Sequence, residues 1–201
     1  MTRLIRIAFS LSALFLFPGL ANADHEIVSE AFNRELSEVN TAADKWGDAR
    51  VGDEIASRIT DLAGSEKNAE ALVAGLRGGT AIHLTTVDAL GTIVSKTTFT
   101  PPTGAMGWGN VVAALALTEV ELAHRGIMEP TAEDVAAAMM GGTIPTGTDV
   151  EATMEGILPL WAQGLGWGEI AHSWGLQLGH AMKIIKARKD RQIAKVLNLL
   201  P

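Results

Sequence analysis

The chain of 201 residues contains no cysteine, although 47% of its residues are hydrophobic. Disulfide bonds and thiolate metal sites are therefore excluded, and so is the lipid-modified cysteine of an exported bacterial lipoprotein. The fold must be stabilised by the packing of apolar side chains alone. This length and composition predict one globular domain or two small helical lobes, and they argue against a disordered chain.

The first 23 residues have the pattern of a cleavable export signal. Two arginines precede an apolar run at 7–17, which is too short to cross a bilayer as a stable helix. A Pro-Gly pair ends this run, and small residues at 21–23 suit a signal peptidase. We expect cleavage after Ala23 and a soluble product in the periplasm or the medium, because no later segment approaches the roughly 20 apolar residues of a membrane span.

Charge is distributed unevenly along the predicted mature chain. Residues 24–180 carry 22 acidic and 8 basic side chains. The segment after His180 has a single acidic residue and is otherwise rich in cations, among them Lys183, Lys186, Arg188, Lys189 and Arg191. Such a segment is solvated, docks on an acidic surface of the same chain, or contacts an anionic partner. We treat these five cations as candidate contacts for an anionic partner.

Hydrophobic periodicity predicts a mainly α protein. Apolar residues spaced three and four apart indicate helices, with Ser65 and Thr131 as caps of two of them. The predicted helices cover 26–46, about 55–63, 66–77, 108–124, 132–140, 150–163, 168–174 and 177–199. A polar loop is expected at 143–149. The helix at 108–124 is apolar on most sides, so we expect it to be central.

One part of the chain changes to a period of two. Residues 81–87 and 92–99 are rich in β-branched side chains and alternate, which predicts a β-hairpin with a turn at 88–91. Two strands alone are marginal in water, so the hairpin either lies against the helices or pairs with another chain. The fold class is therefore mainly α with one β-hairpin, an α+β protein. The Pro-rich stretch after the hairpin divides the predicted mature chain into residues 24–100 and 101–201. These two parts also fit a single domain.

Residues 167–186 fit a helix-turn-helix unit within a tri-helical C-terminal part. In this interpretation Ile170 and Ala171 are buried and Gly175 forms the left-handed turn. A DNA reader needs base-edge hydrogen-bonding groups on its second helix, yet Leu178 and Gly179 offer none. Nucleic-acid binding is therefore an alternative function and not the leading one.

A Gly-Trp-Gly triplet occurs twice, at 107–109 and 166–168, each time directly before a predicted helix. Flanking glycines allow a sharp turn while the indole is buried as a staple at the helix start. The alternative is an aromatic groove for a peptide or glycan, formed by Trp108, Trp161, Trp167 and Trp174. We favour core packing, because aromatic residues at helical spacing usually pack.

Two Glu-x-x-His pairs, Glu121/His124 and Glu169/His172, have the spacing used by di-metal carboxylate proteins. The helix macrodipole explains these residues better than a metal site does, since we expect Glu169 in a first helical turn and His124 in a last turn. The sequence has no nucleophile elbow and no phosphate-binding loop. We therefore expect neither a metal nor another cofactor, and a metal-dependent oxidoreductase is the least favoured function.

Four sequence blocks, at 64–69, 76–80, 100–111 and 164–171, resemble those of a family of exported bacterial proteins of uncharacterised function. The third block reads Thr-Pro-Pro-Thr-Gly-Ala-Met-Gly-Trp-Gly-Asn-Val, and the fourth Gly-Leu-Gly-Trp-Gly-Glu-Ile-Ala. The resemblance covers roughly 55–179. It implies a hairpin-bearing first part and a helical second part, and it brings no catalytic or binding residues with it.

The sequence thus predicts an exported, non-catalytic binding module. We expect its partner to be a protein or an anionic component of the cell envelope.

Overall fold

A computed structural model describes residues 21–145 and 151–175. Within these ranges it contains eight helices and four strands, and it confirms a mainly α fold with a β-hairpin. In chain order the elements are α1 (Ala21–Trp46), α2 (Asp48–Arg58), α3 (Thr60–Ala63), α4 (Glu66–Gly78), β1 (Ile82–Val87), β2 (Ile93–Phe99), α5 (Trp108–His124), α6 (Ala132–Met140), β3 (Gly142–Pro145), β4 (Glu151–Met154), α7 (Ile157–Ala162) and α8 (Trp167–Ser173).

Side-chain caps fix the starts of α4 and α6, as the sequence predicts. Ser65 Oγ accepts a hydrogen bond from the backbone N–H of Asn68 at 3.2 Å. Thr131 and Asp134 form a reciprocal capping box, in which the carboxylate accepts from the Thr131 N–H at 2.9 Å. These caps satisfy backbone donors that a helix start leaves without partners.

The β-hairpin is confirmed, and it lies against helices α4 and α6. Its register pairs Ile82 with Phe99 and Leu84 with Thr97, so Ile82 and Leu84 share the face of β1 that packs on the body. Ile82 and Leu84 are fully buried. Asp88 closes the turn, because its Oδ1 accepts from the backbone N–H groups two and four residues later.

The prediction of a helix over 150–163 and of a polar loop over 143–149 is wrong in part. Residues 142–145 and 151–154 pair as the antiparallel strands β3 and β4, while 146–150 lie outside the described residues. The helix begins only at Ile157, because Gly156 has φ +81° and its Cα lies against the backbone of Met140 and Gly141. A side chain has no room there.

Helix α5 is central, as predicted, and 13 of its 17 residues are buried. Helix α1 packs closely on its first turn at Gly109, where a Cβ would lie 2.7 Å from the carbonyl oxygen of Leu36. The Gly109 N–H donates to Asn40 Oδ1 at 3.0 Å. Buried apolar residues from before and after Pro101 belong to one cluster, so the core is continuous across the division suggested by sequence.

The C-terminal part is described only as far as Gly175. Ile170 and Ala171 of α8 are buried, and Gly175 has the left-handed φ of +70° that the helix-turn-helix interpretation requires. The second helix of that unit and the predicted helix at 177–199 lie outside the described residues. No helix in the described part of the chain is long and apolar enough to span a membrane.

Asn68 joins the hairpin to the helical body. Its side chain is 2% exposed; its Nδ2 donates to the carbonyls of Ala63 and Thr85 at 2.8 Å, and its Oδ1 accepts from the Thr85 N–H at 3.0 Å. We expect Asn68→Ala to lower the free energy of unfolding by about 2–4 kcal/mol, because it removes the partner of one buried and two partly buried backbone groups. Urea denaturation measures this, with the exposed Lys67→Ala as a control that changes stability by less than about 0.5 kcal/mol.

Candidate functional site

Trp108 is the first residue of α5, and its indole is 5% exposed. Gly107 precedes it in an extended conformation, so the chain turns directly into the helix while the indole packs inward. The indole Nε1 donates to Asp48 Oδ1 at 2.9 Å. This bond joins the start of α5 to the start of α2 across 60 residues of sequence.

Arg77 completes a three-residue cluster with Asp48 and Trp108. Its guanidinium donates to Asp48 Oδ2 at 3.1 Å and to the backbone oxygen of Met106 at 2.9 Å, and it lies 5.1 Å from the centroid of the Trp108 ring. The indole N–H and then the guanidinium lower the pKa of Asp48 below its usual range, because both stabilise the carboxylate. The indole, carboxylate and guanidinium therefore fix one another in position.

The second Gly-Trp-Gly triplet repeats the same local design. Gly166 has the same extended conformation as Gly107, and Trp167 is the first residue of α8. Its buried indole donates to Asn110 Oδ1 at 3.2 Å. The two triplets thus each start a helix with a buried indole bonded to a polar side chain on another element.

The four tryptophans proposed for an aromatic groove have different surroundings. Trp161 stacks on Trp167 with ring centroids 5.2 Å apart, and Trp174 is partly buried against the core. Trp108 lies instead against Asp48 and Arg77. The structure therefore brings Trp161 and Trp167 together and gives Trp108 a separate contact.

The two Glu-x-x-His pairs also have different surroundings. Glu121 is 1% exposed and binds Arg125, with its Oε1 2.6 Å from the guanidinium Nη2. Glu169 accepts a hydrogen bond from the Gly166 N–H at 2.7 Å and caps α8. His124 and His172 lie in the last turns of α5 and α8. The positions of Glu169 and His124 are those that the electrostatic interpretation predicts. Among the described residues, no three acidic or histidine side chains are close enough to share a metal ion.

The five candidate cations of the C-terminal segment, from Lys183 to Arg191, lie outside the described residues. They remain a prediction from sequence. The described surface offers a different candidate contact, at the far end of the hairpin.

Every residue from 87 to 94 is exposed, and we call this segment the hairpin tip. Four of its side chains are large and aliphatic: Val87, Leu90, Ile93 and Val94. Leu90 is 91% exposed. An exposed group of aliphatic side chains on an ordered turn is typical of a surface that contacts another molecule.

Sequence reasoning missed the Asp48–Arg77–Trp108 cluster and the hairpin tip. The cluster joins residues 29 and 60 positions apart, a distance over which helix and strand periodicity carry no information. The sequence did contain a signal for the exposed tip. Ile93 and Val94 are adjacent apolar residues, and in an alternating strand one of two neighbours faces away from the core.

Comparison with protein-family models, with curated proteins and with solved structures finds no match. The resemblance to exported bacterial proteins therefore stays a prediction from the sequence blocks.

The hydrogen bond between Trp108 and Asp48 predicts a specific pH dependence. Because the pKa of Asp48 is lowered in the folded chain, its stabilising effect is present above the ordinary value of 3.8 and is lost as the pH falls through the lower folded value. We expect the NMR signal of the Trp108 indole N–H to shift with a midpoint below 3.8, and Asp48→Asn to abolish that transition.

The indole N–H of Trp167 is the internal control, because its acceptor is the amide of Asn110 and does not titrate. A Trp108 midpoint at or above 3.8 would contradict the assignment.

Proposed function

We propose that the chain is an exported, non-catalytic binding module that contacts a partner protein through its hairpin tip. The observation that carries this proposal is the exposure of four aliphatic side chains on a braced, two-stranded projection. Burying an aliphatic side chain of this size contributes about 1.5–3 kcal/mol, so a partner that covers even part of the tip gains useful affinity.

The hairpin is held rigidly just behind its tip. On one side Thr85 exchanges hydrogen bonds with Asn68 of α4. On the other, Thr86 Oγ1 accepts from the Ala132 N–H at 3.0 Å and donates to Glu133 of α6 at 3.2 Å. A braced element loses little conformational freedom when it binds, which favours association.

The charge of residues 24–180 favours a protein partner for the hairpin tip over a lipid surface. The stretch from 24 to 180 has nearly three acidic residues for each basic one, so an anionic membrane repels the body that carries the tip. Within the tip the single charged side chain is Asp88, whose carboxylate closes the turn. The complementary surface is therefore an apolar groove on a protein. The tip is small, which suits a transient contact.

Photo-crosslinking tests the tip as a contact surface. With benzoylphenylalanine in place of Leu90, we expect a discrete adduct in an extract of the cell envelope, suppressed by excess wild-type protein. Leu90→Ser protein should fail to suppress it, whereas Met128→Ser should suppress it normally, because that variant removes another exposed apolar side chain outside the tip.

Both substitutions should change the free energy of unfolding by less than about 0.5 kcal/mol, since both side chains are exposed. The proposal is contradicted if the same adduct forms with the crosslinker at Thr98, on the exposed outer face of β2, or if Leu90→Ser competes as well as wild type. Recovery of the label in lipid would show a membrane contact instead.

Export itself is tested by the N-terminus of the protein isolated from the periplasm and the medium. We expect the chain to begin at Asp24, because the small residues at 21–23 form the predicted cleavage site. Edman sequencing or intact mass measures this. Intact chain beginning at Met1 in the cell interior would contradict export and would favour the nucleic-acid alternative.

A further inference from the structure

Strand β2 forms an open edge of the β-hairpin, since among the described residues only β1 pairs with it. The direction of its backbone groups follows from the opposite edge. There Asn68 of α4 bonds to both the N–H and the C=O of Thr85, which therefore point away from β2. In an antiparallel pair, two directly opposed residues bond to each other or both point outward. Lys96 is opposite Thr85, so its N–H and C=O point outward from β2.

Thr98 is the second residue of β2 whose backbone groups point outward. It is opposite His83, and outward and inward residues alternate along a strand. Lys96 and Thr98 are both exposed, and no described residue bonds to the backbone N–H or C=O of either one. An edge of this kind is a template on which a further strand can form.

The open edge is short, and both of its ends are defined. Towards the tip, Val94 has no opposite residue on β1, and such a bulge interrupts regular pairing. At the other end β2 stops at Phe99. Between these limits the outward residues are Lys96 and Thr98, which lie symmetrically about Thr97. An antiparallel copy of the same strand, placed about a two-fold axis at Thr97, therefore meets both of them.

The charge of the hairpin suits contact between two copies of this chain. Residues 24–180 carry 22 acidic and 8 basic side chains, whereas residues 81–100 carry one of each, Asp88 and Lys96. Two molecules that repel each other elsewhere can therefore approach along this edge without a local excess of negative charge. Lysine at a strand edge often opposes pairing. In the two-fold register, however, Lys96 is opposite Thr98 of the partner subunit, so the two ammonium groups avoid the direct opposition that destabilises like charges.

We propose that β2 pairs with β2 of a second copy of the chain and joins the two hairpins into one four-stranded antiparallel sheet. Lys96 of each copy exchanges backbone hydrogen bonds with Thr98 of the partner subunit, and Thr97 lies on the two-fold axis. The interface is small, so the dimer is weak and forms at high protein concentration. The two hairpin tips lie at opposite ends of the sheet, and both stay free for the contact proposed above.

Amide hydrogen exchange of the full chain tests the pairing without any substitution. We expect the Lys96 and Thr98 amides to exchange rapidly at micromolar protein concentration. At millimolar concentration, where analytical ultracentrifugation should show a dimer, they should exchange at least about tenfold more slowly. The Thr97 amide is the internal control, because it points toward β1 and is protected at both concentrations.

The variant Thr98→Pro tests the outward N–H directly. Proline has no N–H and is tolerated at strand edges, so the hairpin should remain while the dissociation constant of the dimer rises at least about tenfold. The matched control is Thr98→Val. It keeps the N–H, and like the proline variant it removes the contact of Thr98 Oγ1 with His83 Nδ1. It should change the dissociation constant by less than about threefold.

The pairing is refuted by a chain that stays monomeric at millimolar concentration, or by protection of the Lys96 and Thr98 amides that does not depend on concentration. Equal dimerisation of wild type and Thr98→Pro, with the Thr97 amide still protected, would also refute it. The exchange measurement uses the unmodified chain, so it remains decisive even if Thr98→Pro weakens the fold. None of these outcomes bears on the Leu90 adduct, which reports on the tip.

Discussion

The contacts of residues 107–110 determine how the helices of this protein meet. Trp108 binds Asp48 at the start of α2, Gly109 lies against α1, and Asn110 receives the indole N–H of Trp167 from α8. The backbone just before this segment accepts the guanidinium of Arg77 from α4. This chain has no disulfides. Its short segment around Trp108 instead contacts four other helices, α1, α2, α4 and α8, through hydrogen bonds and close packing at glycine.

The sequence predicted the elements whose signals are local. Caps at Ser65 and Thr131, the alternation of β1 and β2 and the apolar faces of α5 are all properties of neighbouring residues, and the structure confirms them. The prediction failed at 142–145 and 151–156, where two four-residue strands are too short to show a period of two and where Gly156 stops a helix that apolar spacing alone would extend backwards.

The candidate sites were less accessible to sequence reasoning. Asp48, Arg77 and Trp108 come from three helices, and no local sequence pattern unites them. The hairpin was predicted, but the exposure of its tip depends on how far α4 and α6 extend along the strands, which is a property of packing. Helix α4 connects the hairpin to the Asp48–Arg77–Trp108 cluster: Asn68 near its start bonds to the hairpin, and Arg77 near its end bonds to Asp48.

The hydrogen bonds of Asn68 span 5 and 17 residues, whereas those of Trp108 and Trp167 span 60 and 57. Closing a short loop takes less conformational entropy and happens sooner than closing a long one. The short separations favour early contact between helix α4 and the hairpin, and the long ones favour later formation of the tryptophan contacts. Because synthesis begins at the N-terminus, α4 and the hairpin can make these contacts while α5 is still being added to the chain.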